Sequence, residues 1–189
     1  TVTDKSVPGR DVLEIRIAFS QFSPLRWPPV LCRSSGPDSV PFPHVSALLC
    51  DQYPDNHTYQ AQKASEVMQN GGHEEAIKLL DNILEKNPYN FSTFTSKGHA
   101  QKTLGQTDQA IHSYQSAYKI KPDHGEAFFS LANLKTYSFS ANELNGMRDQ
   151  VKRVDLSLRD KAYFHFALAQ ACASIGEFEE AFIHLEQGN

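Results

Sequence analysis

The chain has 189 residues, a formal net charge of −4 and 40% apolar residues. This length fits one domain, or one domain with a tail, and the charge gives no general attraction to nucleic acid or to an anionic membrane surface. No apolar run reaches about 18 residues, so we expect no membrane-spanning helix. The three cysteines, Cys32, Cys50 and Cys172, form no CxxC pair and do not suit a disulfide framework, which favours a reducing, cytoplasmic setting.

The first 55 residues are rich in proline. Eight of the ten prolines lie before Asp55, and helices cannot run through this density because proline fixes φ and removes a backbone donor. From Leu13 to Phe19, apolar residues recur at every second position, which predicts one short strand without a partner. We therefore predict that residues 1–55 form a proline-rich, poorly structured extension. A proline-rich docking tail is the functional alternative.

A sequence pattern occurs twice in the middle of the chain. The first copy is Gly71, Glu75, Ala76, Leu80 and Pro88, and the second is Gly105, Gln109, Ala110, Tyr114 and Pro122. Matching residues are 34 positions apart, and a fixed period of this size is typical of stacked helix pairs.

Helical spacing extends over residues 56–189. Apolar residues recur there at steps of three and four, and Gly71, Gly105 and Gly176 interrupt them at the expected helix ends. We predict about four helix pairs, with repeats near 57–90, 91–124, 125–161 and 162–189.

The third repeat departs from the period. Ala110 and Ala181 are 71 positions apart, three more than two periods of 34, so the third repeat carries an insertion. Ser140 and Glu143 have the spacing of a capping box and predict the start of a second helix that is displaced or tilted. Four residues are predicted to share its apolar face: Leu144, Met147, Val151 and Val154.

The second repeat resembles the tetratricopeptide repeat. The family's small, aromatic and turn positions match Phe94, Gly98, Gly105, Ala110, Tyr114, Ala117 and Pro122. The resemblance covers about Thr58 to Asn189. It implies an all-α, right-handed superhelix in which the first helix of each pair lines a concave face.

The resemblance also implies which residues line that face. The first-helix positions that face the groove in the family carry over to a candidate set of eight residues: Thr95, His99, Lys102, Phe129, Asn133, Tyr163, Phe166 and Gln170. The aromatic members are not needed for the helix-packing stripe, and together with the amides they suit a protein or peptide partner. The alternative is that a further helix or the N-terminal segment covers them.

We find no motif that indicates catalysis. The sequence has no Gly-rich phosphate loop, no HExxH and no GxSxG. We therefore expect no catalytic residue, no cofactor and no metal site, and we expect Cys172 to be an inert core thiol.

A narrower resemblance gives the functional alternative. The stretch from Phe164 to Ala169, with the stretch from Gly176 to Phe182, is similar to the last repeat of bacterial tetratricopeptide–sulfotransferase fusions. It implies that the chain is the N-terminal repeat region of a sulfotransferase whose catalytic domain is missing here.

Overall fold

The computed structural model describes residues 52–53, 56–134 and 136–189. These residues form eight α-helices and no strand. The helices are α1 His57–Gln69, α2 His73–Lys86, α3 Phe91–Thr103, α4 Thr107–Ile120, α5 Gly125–Ala132, α6 Ala141–Lys152, α7 Leu158–Ser174 and α8 Phe178–Gly188. Apart from Gln52 and Tyr53, the extension predicted for residues 1–55 lies outside the described residues.

Three of the four helix pairs close with the same glycine turn. Gly71, Gly105 and Gly176 have φ values of 86°, 75° and 87°, a region that other residues rarely adopt. In each turn the residue after the glycine donates its N–H back to a carbonyl of the preceding helix, as Gln106 does to Gln101 at 2.9 Å. This arrangement satisfies carbonyl groups that a helix end leaves unpaired, and it reverses the chain direction.

Small residues let the two helices of a pair approach closely. Ala64, Ala76 and Ala110 are fully buried, and a Cβ at Gly98 would lie 2.5 Å from a ring carbon of Tyr114. The repeating small side chains therefore set the spacing of the helices, and the predicted all-α superhelix of about four helix pairs is confirmed.

The third pair is built differently. Helix α6 packs mainly against α7, and the ordinary glycine turn is replaced by the connection from α5 to α6. Tyr137 and Phe139 in that connection meet edge to face at 5.0 Å. They pack against a buried cluster that includes Tyr114 and Leu131, so side chains of the connection cover a surface of α4 and α5.

Two boundaries differ from the sequence predictions. Helix α6 ends at Lys152, so Val154 is 100% exposed and does not share the buried face of Leu144. The chain bends after Arg153 and places Leu156 in the core instead. Helix α7 begins at Leu158, four residues before the predicted 162, because the Ser157 hydroxyl accepts from the N–H of Asp160 at 3.0 Å and caps the helix there.

Candidate functional site

The predicted groove residues lie on α3, α5 and α7 and at the end of α5. We call the surface of these three helices the inner face. Thr95 and Tyr163 are buried, with 4% and 8% of their surface exposed. The remaining six are half-buried or exposed: His99, Lys102, Phe129, Asn133, Phe166 and Gln170.

Three aromatic rings of the candidate set come together on α5 and α7. The Phe129 ring centroid lies 5.3 Å from that of Tyr163 and 6.1 Å from that of Phe166. The two helices can approach this closely because Gly125 has no side chain, and a Cβ there would lie 2.4 Å from the Asp160 carbonyl oxygen. The cluster is therefore fixed by the packing of α5 on α7.

The ring of Tyr163 is too deeply buried to contact a partner. It is buried beneath Phe129, and the Arg159 guanidinium lies over it at 5.6 Å from the ring centroid. The family offset places Tyr163 on the first helix of its pair, but the close approach of α5 and α7 buries its ring between them. Phe129 and Phe166 retain exposed surface.

The side chain of Thr95 also makes its contacts within the protein. Its hydroxyl donates to the Phe91 carbonyl at 3.1 Å and lies 3.0 Å from His124 Nε2. Because the hydroxyl proton is already used, the imidazole is the donor of the second bond. Burial lowers the pKa of His124, which favours the neutral ring with its proton on Nε2. This bond joins Thr95 of the second repeat to the third.

His99 lies at the centre of a polar chain across the inner face. Its Nδ1 is 3.0 Å from the Tyr114 hydroxyl, and its Nε2 is 3.4 Å from Glu126 Oε1. The hydrogen bond from His99 lowers the pKa of Glu126, although burial opposes the shift. Arg159 lies 4.0 Å from the same carboxylate, so the negative charge of Glu126 is balanced within the protein.

Lys102 and Asn133 are the exposed polar members of the candidate set. Lys102 lies in the last turn of α3 and makes no ion pair within the described ranges. Partial burial lowers its pKa. Asn133 follows the last residue of α5. Both side chains are therefore free to meet polar groups of a partner.

Sequence reasoning missed an open depression of about 330 Å³ at α3 and α4. It is lined by Phe94, Lys97, Gln101, Gln109, His112, Ser113 and Ser116. Gln101 is buried there and accepts a 2.7 Å bond from the Ser113 hydroxyl. The sequence feature that could have indicated this depression is the presence of polar residues, such as Gln101 and Ser113, at helix-packing positions of the second repeat.

Three side chains on α7 and at the start of α8 have possible ligand atoms close enough together for one metal ion. The Cys172 thiol and the carboxylates of Glu177 and Glu180 lie within 4.8 Å of one another. However, the Arg148 guanidinium already binds both carboxylates, at 3.4 Å and 2.9 Å. Burial raises the pKa of the Cys172 thiol, so the cluster is explained as an ion pair beside a neutral thiol.

One segment of the chain matches a known family model. Residues 91–124 match the family model of the tetratricopeptide repeat. Residues 91–124 are therefore one tetratricopeptide repeat. A search of curated proteins gave no match. No helix of this repeat protein within the described residues is long and apolar enough to cross a bilayer.

Solved structures share the fold of this chain. The crystal structure of MamA matches with a TM-score of 0.55 at 15% identity, covering 77% of this chain and 84% of MamA. MamA 41-end from Desulfovibrio magneticus RS-1 gives 0.54 at 14% identity, covering 77% and 81%. PilW, a widely conserved type IV pilus biogenesis factor, gives 0.57 at 18% identity, covering 71% of this chain and 61% of PilW. These matches give the sulfotransferase alternative no support.

Proposed function

We propose that this repeat protein is a scaffold that binds a protein or peptide on its inner face and does no catalysis itself. The observation that carries the proposal is the pair of half-buried rings of Phe129 and Phe166, 6.1 Å apart between centroids, on the same surface as Lys102 and Asn133.

The two rings give this surface its capacity to anchor a partner. Aromatic side chains in partly desolvated positions carry much of the energy of protein interfaces. Phe129 is held by Tyr163, and Phe166 lies against Gly188 of α8, where a Cβ would be 3.1 Å from its ring. Since both rings are held from behind, little side-chain entropy remains to be lost on binding.

The polar side chains near the two rings indicate which kind of partner this surface can bind. Asn133 has both a donor and an acceptor, and this suits the backbone of an extended or helical peptide. The net charge of −4 favours a protein or peptide over nucleic acid. A cytoplasmic location is part of the proposal, and the free, buried thiol of Cys172 agrees with a reducing setting.

The test compares three immobilised full-length chains as capture reagents in a cell extract. The Phe129→Ala/Phe166→Ala variant removes both rings, and Tyr89→Ala removes an aromatic that is exposed between α2 and α3. We expect a set of proteins to be retained by the wild type and by Tyr89→Ala but lost by the double variant. Equal retention by all three, with circular dichroism showing that all are folded, would remove the inner face as the binding site.

A further inference from the structure

The depression lined by α3 and α4, which we call the α3–α4 depression, is polar on almost every side. Among the seven side chains around its volume of about 330 Å³, Phe94 is the apolar one. None of the seven belongs to the candidate set of the inner face. Sites for small ligands have volumes of about 300–1,000 Å³ and a few fixed polar groups, so the α3–α4 depression is large enough to hold a small molecule.

A buried amide with spare hydrogen-bonding capacity lines the α3–α4 depression. Gln101 is only 4% exposed. Its Oε1 accepts from the Ser113 hydroxyl at 2.7 Å, and its Nε2 makes one long contact of 3.4 Å to Gln109 Oε1. A side-chain amide has two N–H donors and two acceptor lone pairs, so one donor and one acceptor site of Gln101 have no partner within residues 56–134 and 136–189. Because an unpaired buried polar group is costly, a ligand that completes both bonds would bind favourably.

The fourth repeat shows what kind of group lies beside the equivalent positions. Gln101 and Gln109 correspond to Cys172 and Glu180, which lie 71 positions later. There the planar guanidinium of Arg148, which belongs to the preceding helix α6, binds Glu180 at 2.9 Å. In the described part of the chain, the lining of the α3–α4 depression includes no residue of the preceding helix α2. The second repeat thus leaves open a space that a planar, hydrogen-bonding group occupies in the fourth.

The lysine and carboxylate charges at the α3–α4 depression cancel. Lys97 lines the depression and forms a 2.5 Å ion pair with Asp81 of α2. An anionic ligand would therefore meet the Asp81 carboxylate beside that ammonium group. A cationic ligand would meet Lys97 without the carboxylate that Glu180 supplies in the fourth repeat, because Gln109 is the residue at that position. The α3–α4 depression accordingly favours a neutral ligand.

We propose that the α3–α4 depression binds a neutral aromatic carboxamide, whose amide completes the hydrogen bonds of Gln101 and whose ring stacks on Phe94. A carboxamide carries a donor and an acceptor side by side, which matches the spare N–H and lone pair of Gln101, whereas a carboxylate only accepts and a guanidinium only donates. Phe94 is half-buried, and aromatic rings gain energy from offset stacking. The site is independent of the binding proposed for the inner face.

Three probes that share one ring test the proposal with the full chain. Benzamide, benzoate and benzamidine carry a neutral amide, an anion and a cation on the same phenyl ring. In NMR titrations we expect benzamide to shift the side-chain amides of Gln101 and Gln109, and we expect the two ions to bind at least about threefold more weakly. Acetamide has the amide but no ring, and it should bind at least about tenfold more weakly than benzamide because it cannot stack on Phe94.

Variants at the two glutamines separate the amide from the rest of the site. Gln101→Met keeps the length of the buried side chain but removes its amide, and it should weaken benzamide binding at least about fivefold. Gln62→Met makes the same change at an exposed position of α1 and should leave binding unchanged. Gln109→Glu introduces the carboxylate of the fourth repeat and should reverse the preference from benzamide to benzamidine. Circular dichroism should show that each variant is folded, and since Gln109 is exposed, its variant decides the outcome even if Gln101→Met does not fold.

Four results would overturn the proposal. The first is that no probe shifts residues of the α3–α4 depression, or that benzoate or benzamidine binds the wild type more tightly than benzamide. The second is equal affinity of the wild type and Gln101→Met for benzamide. The third is an unchanged preference for benzamide in Gln109→Glu. The fourth is equal affinity for benzamide and acetamide, because the depression would then suit the asparagine or glutamine side chain of a partner protein and not an aromatic ligand.

Discussion

His165 and His184 bring their Nδ1 atoms within 3.0 Å of each other between α7 and α8. Both rings are buried, and the short distance requires one Nδ1 to donate and the other to accept, so the accepting imidazole is neutral. Burial, the neighbouring His184 and Lys161 lower the pKa of His165 to about 4. Burial also lowers the pKa of His184, although Glu180, itself held by Arg148, opposes this shift.

This histidine pair predicts a loss of stability in acid. In the unfolded chain each ring binds a proton near its ordinary pKa of 6.5, whereas folded His165 resists protonation down to about 4. Between these values the unfolded state holds more protons, so stability falls as the pH falls, by at most about 1.4 kcal/mol per pH unit for each ring. Urea denaturation at pH 7.5, 6 and 5 measures this slope.

The control for the histidine pair is His165→Asn. Its amide can still bond to His184 but cannot bind a proton, so the free energy of unfolding should depend less on pH than in the wild type. Identical slopes for the two proteins would show that the pair does not set the acid sensitivity.

The regular part of the fold could be predicted because close helix packing needs small residues at fixed positions. Ala76, Ala110 and Ala181 recur where helices touch, and Gly71, Gly105 and Gly176 recur where the chain reverses. The capping box of Ser140 and Glu143 was also correctly predicted, since both of its halves are local in sequence.

Features that depend on the distance between neighbouring helices could not be predicted in this way. The family offset places Tyr163 on the inner face, but its burial follows from the contact of Gly125 with Asp160, which no period encodes. Likewise, Leu156 and not Val154 enters the core because the chain bends after Arg153. The binding role of the six more accessible candidates remains a prediction.

The contact of Gly98 with Tyr114 predicts that a single methyl group added at position 98 lowers the stability of the protein. A Cβ in Gly98→Ala would lie 2.5 Å from the buried ring, so α3 and α4 would have to separate. We expect a loss of about 1–3 kcal/mol in the free energy of unfolding, measured by urea denaturation.

Gly146→Ala is the matched control. Gly146 is an exposed position within α6, and a Cβ there meets no atom within 4 Å. This substitution should stabilise the protein by about 0.5–1 kcal/mol, because alanine loses less backbone entropy in a helix. Equal effects of the two substitutions would contradict the close packing of α3 on α4.

Glu143 is predicted to hold the displaced α6 in place. Its Oε1 accepts bonds from the hydroxyls of Tyr118 on α4, at 2.8 Å, and of Tyr137. Its other oxygen accepts from the Ser140 N–H at 2.8 Å. The same oxygen also accepts from the Ser140 hydroxyl at 2.8 Å. Glu143→Ala removes all four acceptor contacts, and we expect a loss of about 1–3 kcal/mol with faster amide hydrogen exchange in α6.

Asp149→Ala serves as the comparison on the same helix. Its ion pair with Lys152 is exposed, so its removal should change stability by less than about 1 kcal/mol and leave hydrogen exchange in α6 nearly unchanged. If Asp149→Ala loosened α6 as much as Glu143→Ala, the two tyrosine contacts would not be what holds this helix.

Cys172 is predicted to react only when the α7–α8 pair opens. Its thiol is fully buried and burial raises its pKa, so both access and thiolate content are low. In a Cys32→Ser/Cys50→Ser background, labelling by a thiol reagent should be at least about 100-fold slower in buffer than in denaturing urea. Moving the cysteine two positions, with Cys172→Ser and Ser174→Cys, places it at an exposed site on the same helix and should restore fast labelling. Slow labelling of both proteins would mean that some other feature shields this helix, and fast labelling of both would show that the pair is open in solution.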